Sequence, residues 1–227
     1  MGEIAGLLEF IREGGAASWM VVMVACLGMG IVIERWIKIQ FQYSVDGRAF
    51  MAKLKKYILS DNIDRALSLC NSKSQALLPR VLKAGLTRAK DSPADIQNAI
   101  DEATLEVMPK LEARALYLPT LANLATLIGL FGTIIGLIMA FRGGDAVDAV
   151  QRQQFLQKAI AIAMHTTALG IFIAIPLLFV HAVLQSKINT IISDIDQYSV
   201  KLINLLSASH KVGGKASSSD DEAAAND

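Results

Sequence analysis

Charge is missing from three long stretches of this 227-residue chain: Gly14 to Ile33, Ala115 to Phe141 and Ala159 to Ser186 contain no Asp, Glu, Lys or Arg. At about 1.5 Å per residue, even the shortest of them reaches the roughly 30 Å thickness of a bilayer's hydrocarbon core. They read as three membrane helices. Ion pathways through membranes normally use an intramembrane carboxylate as carrier, and these helices have none. Any ion route along them therefore needs an acid from another chain.

Other absences narrow the function further. The two cysteines, Cys26 in an apolar run and Cys70 in a polar one, lie at different depths and imply neither a disulfide nor a metal site. A net charge of +1 and 6% aromatic residues, with no basic cluster interleaved with aromatics, give no nucleic-acid surface. No nucleophile with a base, phosphate-cradling loop or dinucleotide fingerprint occurs, so an enzyme is not expected. His165, His181 and His210 are far apart in sequence, with no carboxylate at ligand spacing, and no cofactor is expected. Nowhere does the alternation of a strand appear.

What remains is 53% hydrophobic, with a mean hydropathy of +0.42. The expected fold is an all-α integral membrane protein of three transmembrane helices with a long helical cytoplasmic extension. The spacing predicts an amphipathic leader over 1–13, spans over 14–33, 115–141 and 159–186, and a cytoplasmic helical domain over 34–114. A loop over 142–158, a helix over 187–208 and a disordered tail over 209–227 complete the reading. Of 22 Lys and Arg residues, fourteen fall between the first two spans and four after the third. The juxtamembrane Arg35, Lys38, Lys110, Arg114 and Lys187 place that segment and the C-terminus in the cytoplasm, with the leader and the 142–158 loop outside. Asp91-Ser92-Pro93 opens a helix, and its pattern runs on for roughly 50 residues into the second span, bent but not ended by Pro109 and Pro119.

Within the spans the polar and small residues are concentrated. Gly129, Gly132, Gly136 and Ala140 fall near one face of the second span, a face suited to close approach by another helix. The third carries His165-Thr166-Thr167-Ala168-Leu169-Gly170 and then Pro176, which frees a backbone carbonyl. Two readings stand for the hydroxyls of Thr133, Thr166 and Thr167. They line a narrow wet path for a proton or cation, or they bond carbonyls of their own helices. His165, whose imidazole can both donate and accept, is a candidate relay or a donor to a neighbouring helix.

The order and wording of 118–141, LPTLANLATLIGLFGTIIGLIMAF, followed by 163–176, AMHTTALGIFIAIP, resemble the MotA/TolQ/ExbB channel family, most of all its ExbB/TolQ branch. The resemblance covers about 1–208 and includes the Glu34-Arg35 pair closing the first span. It implies a stator subunit of a bacterial inner-membrane motor, assembled as a homo-oligomer of five copies around single-span ExbD/TolR-like chains whose aspartate carries the ion, expected to be a proton. The work would be TonB-type uptake, Tol-type envelope maintenance or gliding motility. Thr133 and Thr167 match the threonines of the GLLGT and TTAxG motifs and would face the partner's aspartate. Thr166 and His165 flank that path, and Gly129, Gly132, Gly136, Gly170 and Pro176 would shape helix packing and partner contact. The chain departs from the pattern at Ile162, where many members carry glutamate. The competing reading is a non-conducting membrane scaffold, distinguished by indifference to the ion gradient.

Overall fold

The computed structural model describes residues 15–43, 45–60, 62–73, 75–142 and 148–224, with side chains as far as residue 208 except at 42 and 149. The leader at 1–13 and part of the 142–158 loop lie outside the described residues. Every described element is helical. In order these are α1 (Gly15–Ile37), a π-helical segment (Lys38–Tyr43), α2 (Gly47–Leu59), α3 (Ile63–Ser72), α4 (Leu77–Thr87), α5 (Pro93–Glu112), α6 (Tyr117–Arg142) and α7 (Ala149–Ala224). Three helical stretches, those containing α1, α6 and α7, are long and apolar enough to cross a membrane.

The chain divides into two compact units. The first comprises the residues up to Trp36 together with Arg114–Gln185. Val21 and Val24 of α1, Ala125 of α6 and Leu169 of α7 form its buried centre, flanked by Val22, Leu121, Ile128 and Ile173. Around this centre the large side chains point outward: Trp19, Leu27, Leu130, Phe131, Phe172 and Phe179 are all exposed. That inversion suits lipid as solvent, where small residues rather than large ones sit at helix contacts.

The second unit holds Ile37–Ala113 and the chain from Ser186 onward. Its helices are amphipathic in the manner of a water-soluble bundle. Asp46 caps α2 by accepting from the amides of Arg48 and Ala49 at 3.1 and 3.2 Å, and Ser92 caps α5, accepting from the Asp95 amide with Pro93 in the first turn. Leu54, Ile58, Leu82, Ile96, Ile100 and Leu202 are fully buried. Gly47 leaves room for the Tyr198 ring, and a Cβ on Gly85 would lie 2.8 Å from Ile100. Cys70 is 1% exposed in this unit, and burial pushes its thiol up to about 11. At pH 7 only roughly one part in ten thousand is thiolate. Maleimide is therefore expected to leave Cys70 unmodified in the folded protein and to label it once denaturant opens the bundle. Labelling at the rate of an exposed thiol would show that this core is not closed.

Three expectations need correction. The helix of roughly 50 residues from Pro93 is broken: α5 ends at Glu112, and Arg114 takes a left-handed φ of 60° before α6 begins at Tyr117. Pro119 has no amide to give the Ala115 carbonyl and its ring would crowd it, so the turn falls there and the proline sits in the first turn of a new helix. Pro109 remains inside α5. The guanidinium of Arg114 donates to the Glu34 carboxylate at the end of α1. Second, α7 starts at Ala149, so part of the predicted loop is helical; the predicted span over 159–186 and helix over 187–208 are parts of this one helix. Third, the tail expected to be disordered from 209 is helical as far as Ala224. Once a helix is nucleated each further residue adds a bond, so the helix can continue past the bundle.

Candidate functional site

The feature that organises the first unit is a seam between α6 and α7. Along α6 the buried positions are Leu118, Ala122, Ala125, Gly129, Gly132, Gly136 and Ala140, a three-and-four spacing that makes one face. Opposite them on α7 lie Ala159, Ala163, Thr166 and Gly170, all buried. The approach is close enough to exclude side chains. A Cβ on Gly170 would come within 2.6 Å of the Ala125 carbonyl oxygen, one on Gly129 within 2.9 Å of the Thr166 carbonyl, and one on Gly136 within 2.7 Å of the Ala163 Cβ. One on Gly132 would meet the Thr166 side chain, 2.7 Å from its Cβ. The glycines named from sequence thus pack against a helix of their own chain.

Two threonines of α7 converge on one acceptor across this seam. The Thr167 hydroxyl donates to the Gly129 carbonyl at 2.9 Å, and the Thr166 hydroxyl lies 3.3 Å from the same oxygen and 2.8 Å from the Ala163 carbonyl. Thr166 is 1% exposed, whereas Thr167 is half-buried. Thr133, one turn along α6 from Gly129, is also half-buried, and its hydroxyl donates to the Leu130 carbonyl at 2.6 Å. Of the two readings of these hydroxyls, the structure displays carbonyl bonding for all three, and for Thr166 and Thr167 the shared carbonyl belongs to the other helix.

The chemical consequence is directional. A hydroxyl has one proton and two lone pairs, and here each proton is committed to a carbonyl. The oxygens of Thr133 and Thr167 can therefore accept from a protonated carboxylic acid or ligate a dehydrated cation. To pass a proton onward, either would first have to break its bond to the backbone.

The remaining candidates are more dispersed. His165 is half-buried beside Thr166. Ile162 is half-buried, and Pro176 lies inside α7 with its ring exposed. Its missing amide deprives the Phe172 carbonyl of the usual intrahelical donor. The sequence reading overlooked Ser18. It is 1% exposed, and its hydroxyl has no hydrogen-bond partner among the described residues. Its spacing to Val21, Val24 and Gly28, the other buried apolar-run positions of α1, is the signal that marked it as inward-facing.

Comparison with known proteins gives this arrangement a context. Residues 73–197, more than half of the chain, match the model of the MotA/TolQ/ExbB proton channel family. The Tol-Pal system protein TolQ of Haemophilus influenzae is 30% identical over 128 residues, covering 53% of this chain and 56% of that protein. The putative biopolymer transport protein ExbB-like 1 of Synechocystis is 25% identical over 189 residues, covering 79% and 71%. The chain thus spans little more than half the length of the Haemophilus relative. Among solved structures, that of C. jejuni MotAB shares the fold, with a TM-score of 0.59 at 18% identity over 92% of this chain and 84% of that one. The matched residues contain both seam helices' glycine and threonine positions, and the chain belongs to the MotA/TolQ/ExbB proton channel family.

Proposed function

We propose that this chain is the ExbB/TolQ-like stator subunit of an ion-driven motor in a bacterial inner membrane. It would act as a homo-oligomer, as a pentamer in our reading, around an ExbD/TolR-like single-span partner. The partner supplies the carboxylate that α1, α6 and α7 lack within their apolar runs, and the ion is a proton. The N-terminus is periplasmic and the C-terminus cytoplasmic. The observation that carries the proposal is the convergence of Thr166 and Thr167 on the Gly129 carbonyl, which leaves Thr133 and Thr167 half-buried with lone pairs available in otherwise charge-free helices. When protonated, the partner's acid donates to those oxygens; when ionised, it does not. The chain is a transducer rather than an enzyme and needs no cofactor.

The names of the relatives, Tol-Pal system protein and biopolymer transport protein, support an envelope task of the uptake, maintenance or gliding kind. One charge crossing 100 mV releases about 2.3 kcal/mol, enough to bias a conformational step of that order. The hydroxyls' engagement with backbone carbonyls favours a second reading, a scaffold whose spans only pack. Mild detergent extraction followed by native mass spectrometry distinguishes the two. Several copies of this chain recovered with a single-span protein bearing a membrane aspartate are the expected result, and the chain recovered without such a partner favours the scaffold.

A further inference from the structure

A small open cleft of about 80 Å³ lies wholly within the second unit. One wall is the π-helical segment, which contributes Ile39, Gln40 and Tyr43; the other is a single face of α7, with Lys187, Thr190 and Asp194. π-helical turns are rare and recur at functional sites, because the wider turn re-aims side chains that an α-helix would carry past. Leu78 and Ile191 supply apolar floor. Both walls immediately follow apolar runs: α1 ends at Ile37 and the uncharged run of α7 at Ser186. The cleft residues therefore begin where hydrocarbon gives way to headgroups.

The polar groups in the cleft are not used internally, Thr190 excepted, whose hydroxyl donates to the Ser186 carbonyl. No ion pair among the described residues joins Lys187 to Asp194 or engages either. An ammonium and a carboxylate on one helix face, each without a partner, describe a receptor for a zwitterion. Their order is informative. Lys187 is nearer the apolar run and Asp194 is seven residues, about 10 Å, farther from it. In a glycerophospholipid the phosphate is likewise next to the hydrocarbon and the amine outside it.

We propose that this cleft binds the headgroup of phosphatidylethanolamine, with its phosphate on Lys187, Gln40 and the Tyr43 hydroxyl and its primary ammonium donating to Asp194. A trimethylammonium has no N–H to give that carboxylate, so phosphatidylcholine fits the phosphate half only. An anionic glycerol headgroup would meet the Asp194 charge. The inference does not depend on ion conduction.

The test uses the full chain, delipidated in mild detergent, and titrates defined lipids of identical acyl chains while native mass spectrometry counts retained adducts. Phosphatidylethanolamine is expected to be retained at roughly tenfold lower concentration than phosphatidylcholine, the scale of one charge-assisted hydrogen bond. Asp194→Asn should bring the two lipids to parity, and Lys187→Gln should weaken both. Circular dichroism shows whether each variant is folded, and the wild-type comparison needs no variant. Equal retention of the two lipids by the wild type overturns the proposal, as does preferential retention of phosphatidylglycerol or a preference that survives both substitutions. Soluble phosphoethanolamine is the last arm: competition at the lipid's own concentration would overturn the membrane-lipid assignment in favour of a free phosphoamine.

Discussion

Gly170→Ala is expected to destabilise the protein by roughly 2–3 kcal/mol and to abolish gradient-driven activity, although it adds one methyl group. The new Cβ would lie 2.6 Å from the Ala125 carbonyl oxygen, where an ordinary contact begins near 3.4 Å. A backbone carbonyl cannot rotate out of the way as a side chain can, so α6 and α7 must separate by about 0.8 Å, the difference between those two distances. A gap of that size forfeits a quarter to a half of each dispersion contact along the seam. It also stretches the 2.9 Å bond from Thr167 to the Gly129 carbonyl and removes the 3.3 Å one from Thr166. Gly30→Ala is the control, because nothing lies within 4 Å of a Cβ there and alanine is the better helix former by about 1 kcal/mol. Gly132→Ala should fall between the two, since the obstacle is the Thr166 side chain. Denaturant titration in detergent reads all three. If Gly170→Ala unfolds at the same denaturant concentration as Gly30→Ala, the seam does not hold these helices together.

That ranking could not be written from the sequence, which explains what was legible there. Apolar length and the lack of charge were enough to find the three spans, because a bilayer imposes one dominant constraint. The spacing of Gly129, Gly132 and Gly136 identified a contact face for the same reason. It did not say which helix covers that face, since Ala159, Ala163 and Gly170 are equally fit to meet a neighbouring copy. The break at Arg114 was hidden because the apolar pattern continues across it; only the pairing of the Pro119 ring with the Ala115 carbonyl marks the place. Hydroxyl geometry was the least visible. Thr166 and Thr167 are adjacent and chemically alike, yet one is closed into the seam and the other is half-open, a difference of about 100° around the helix that becomes meaningful only once the position of α6 is known.

Thr167→Val and Thr133→Val are each expected to lower ion flux by roughly tenfold or more, the scale of one hydrogen bond to a charged or developing-charge group, while leaving the fold intact. Valine keeps the branched shape and removes the oxygen. For Thr167 the stability change should be small, about 0.6 kcal/mol and at most 2, as for interhelical hydrogen bonds in membranes. The Gly129 carbonyl is not orphaned, because the amide of Thr133 reaches it four residues along α6. Thr133→Val removes a bond to the helix's own Leu130 carbonyl, so its stability should hardly move. Thr166→Val separates structure from conduction: it loses the same Gly129 contact as Thr167→Val, but from a side chain that is 1% exposed and closed off from any partner. It should match Thr167→Val in stability and retain flux. Thr167→Ser, with the oxygen restored, should recover flux. The measurement is proton uptake into proteoliposomes holding the complex with its partner, followed by a pH-sensitive dye under an imposed potential. Undiminished flux in both Thr133→Val and Thr167→Val would remove the two oxygens from the path, and equal losses in Thr166→Val and Thr167→Val would assign the effect to the seam instead of to the exposed lone pairs.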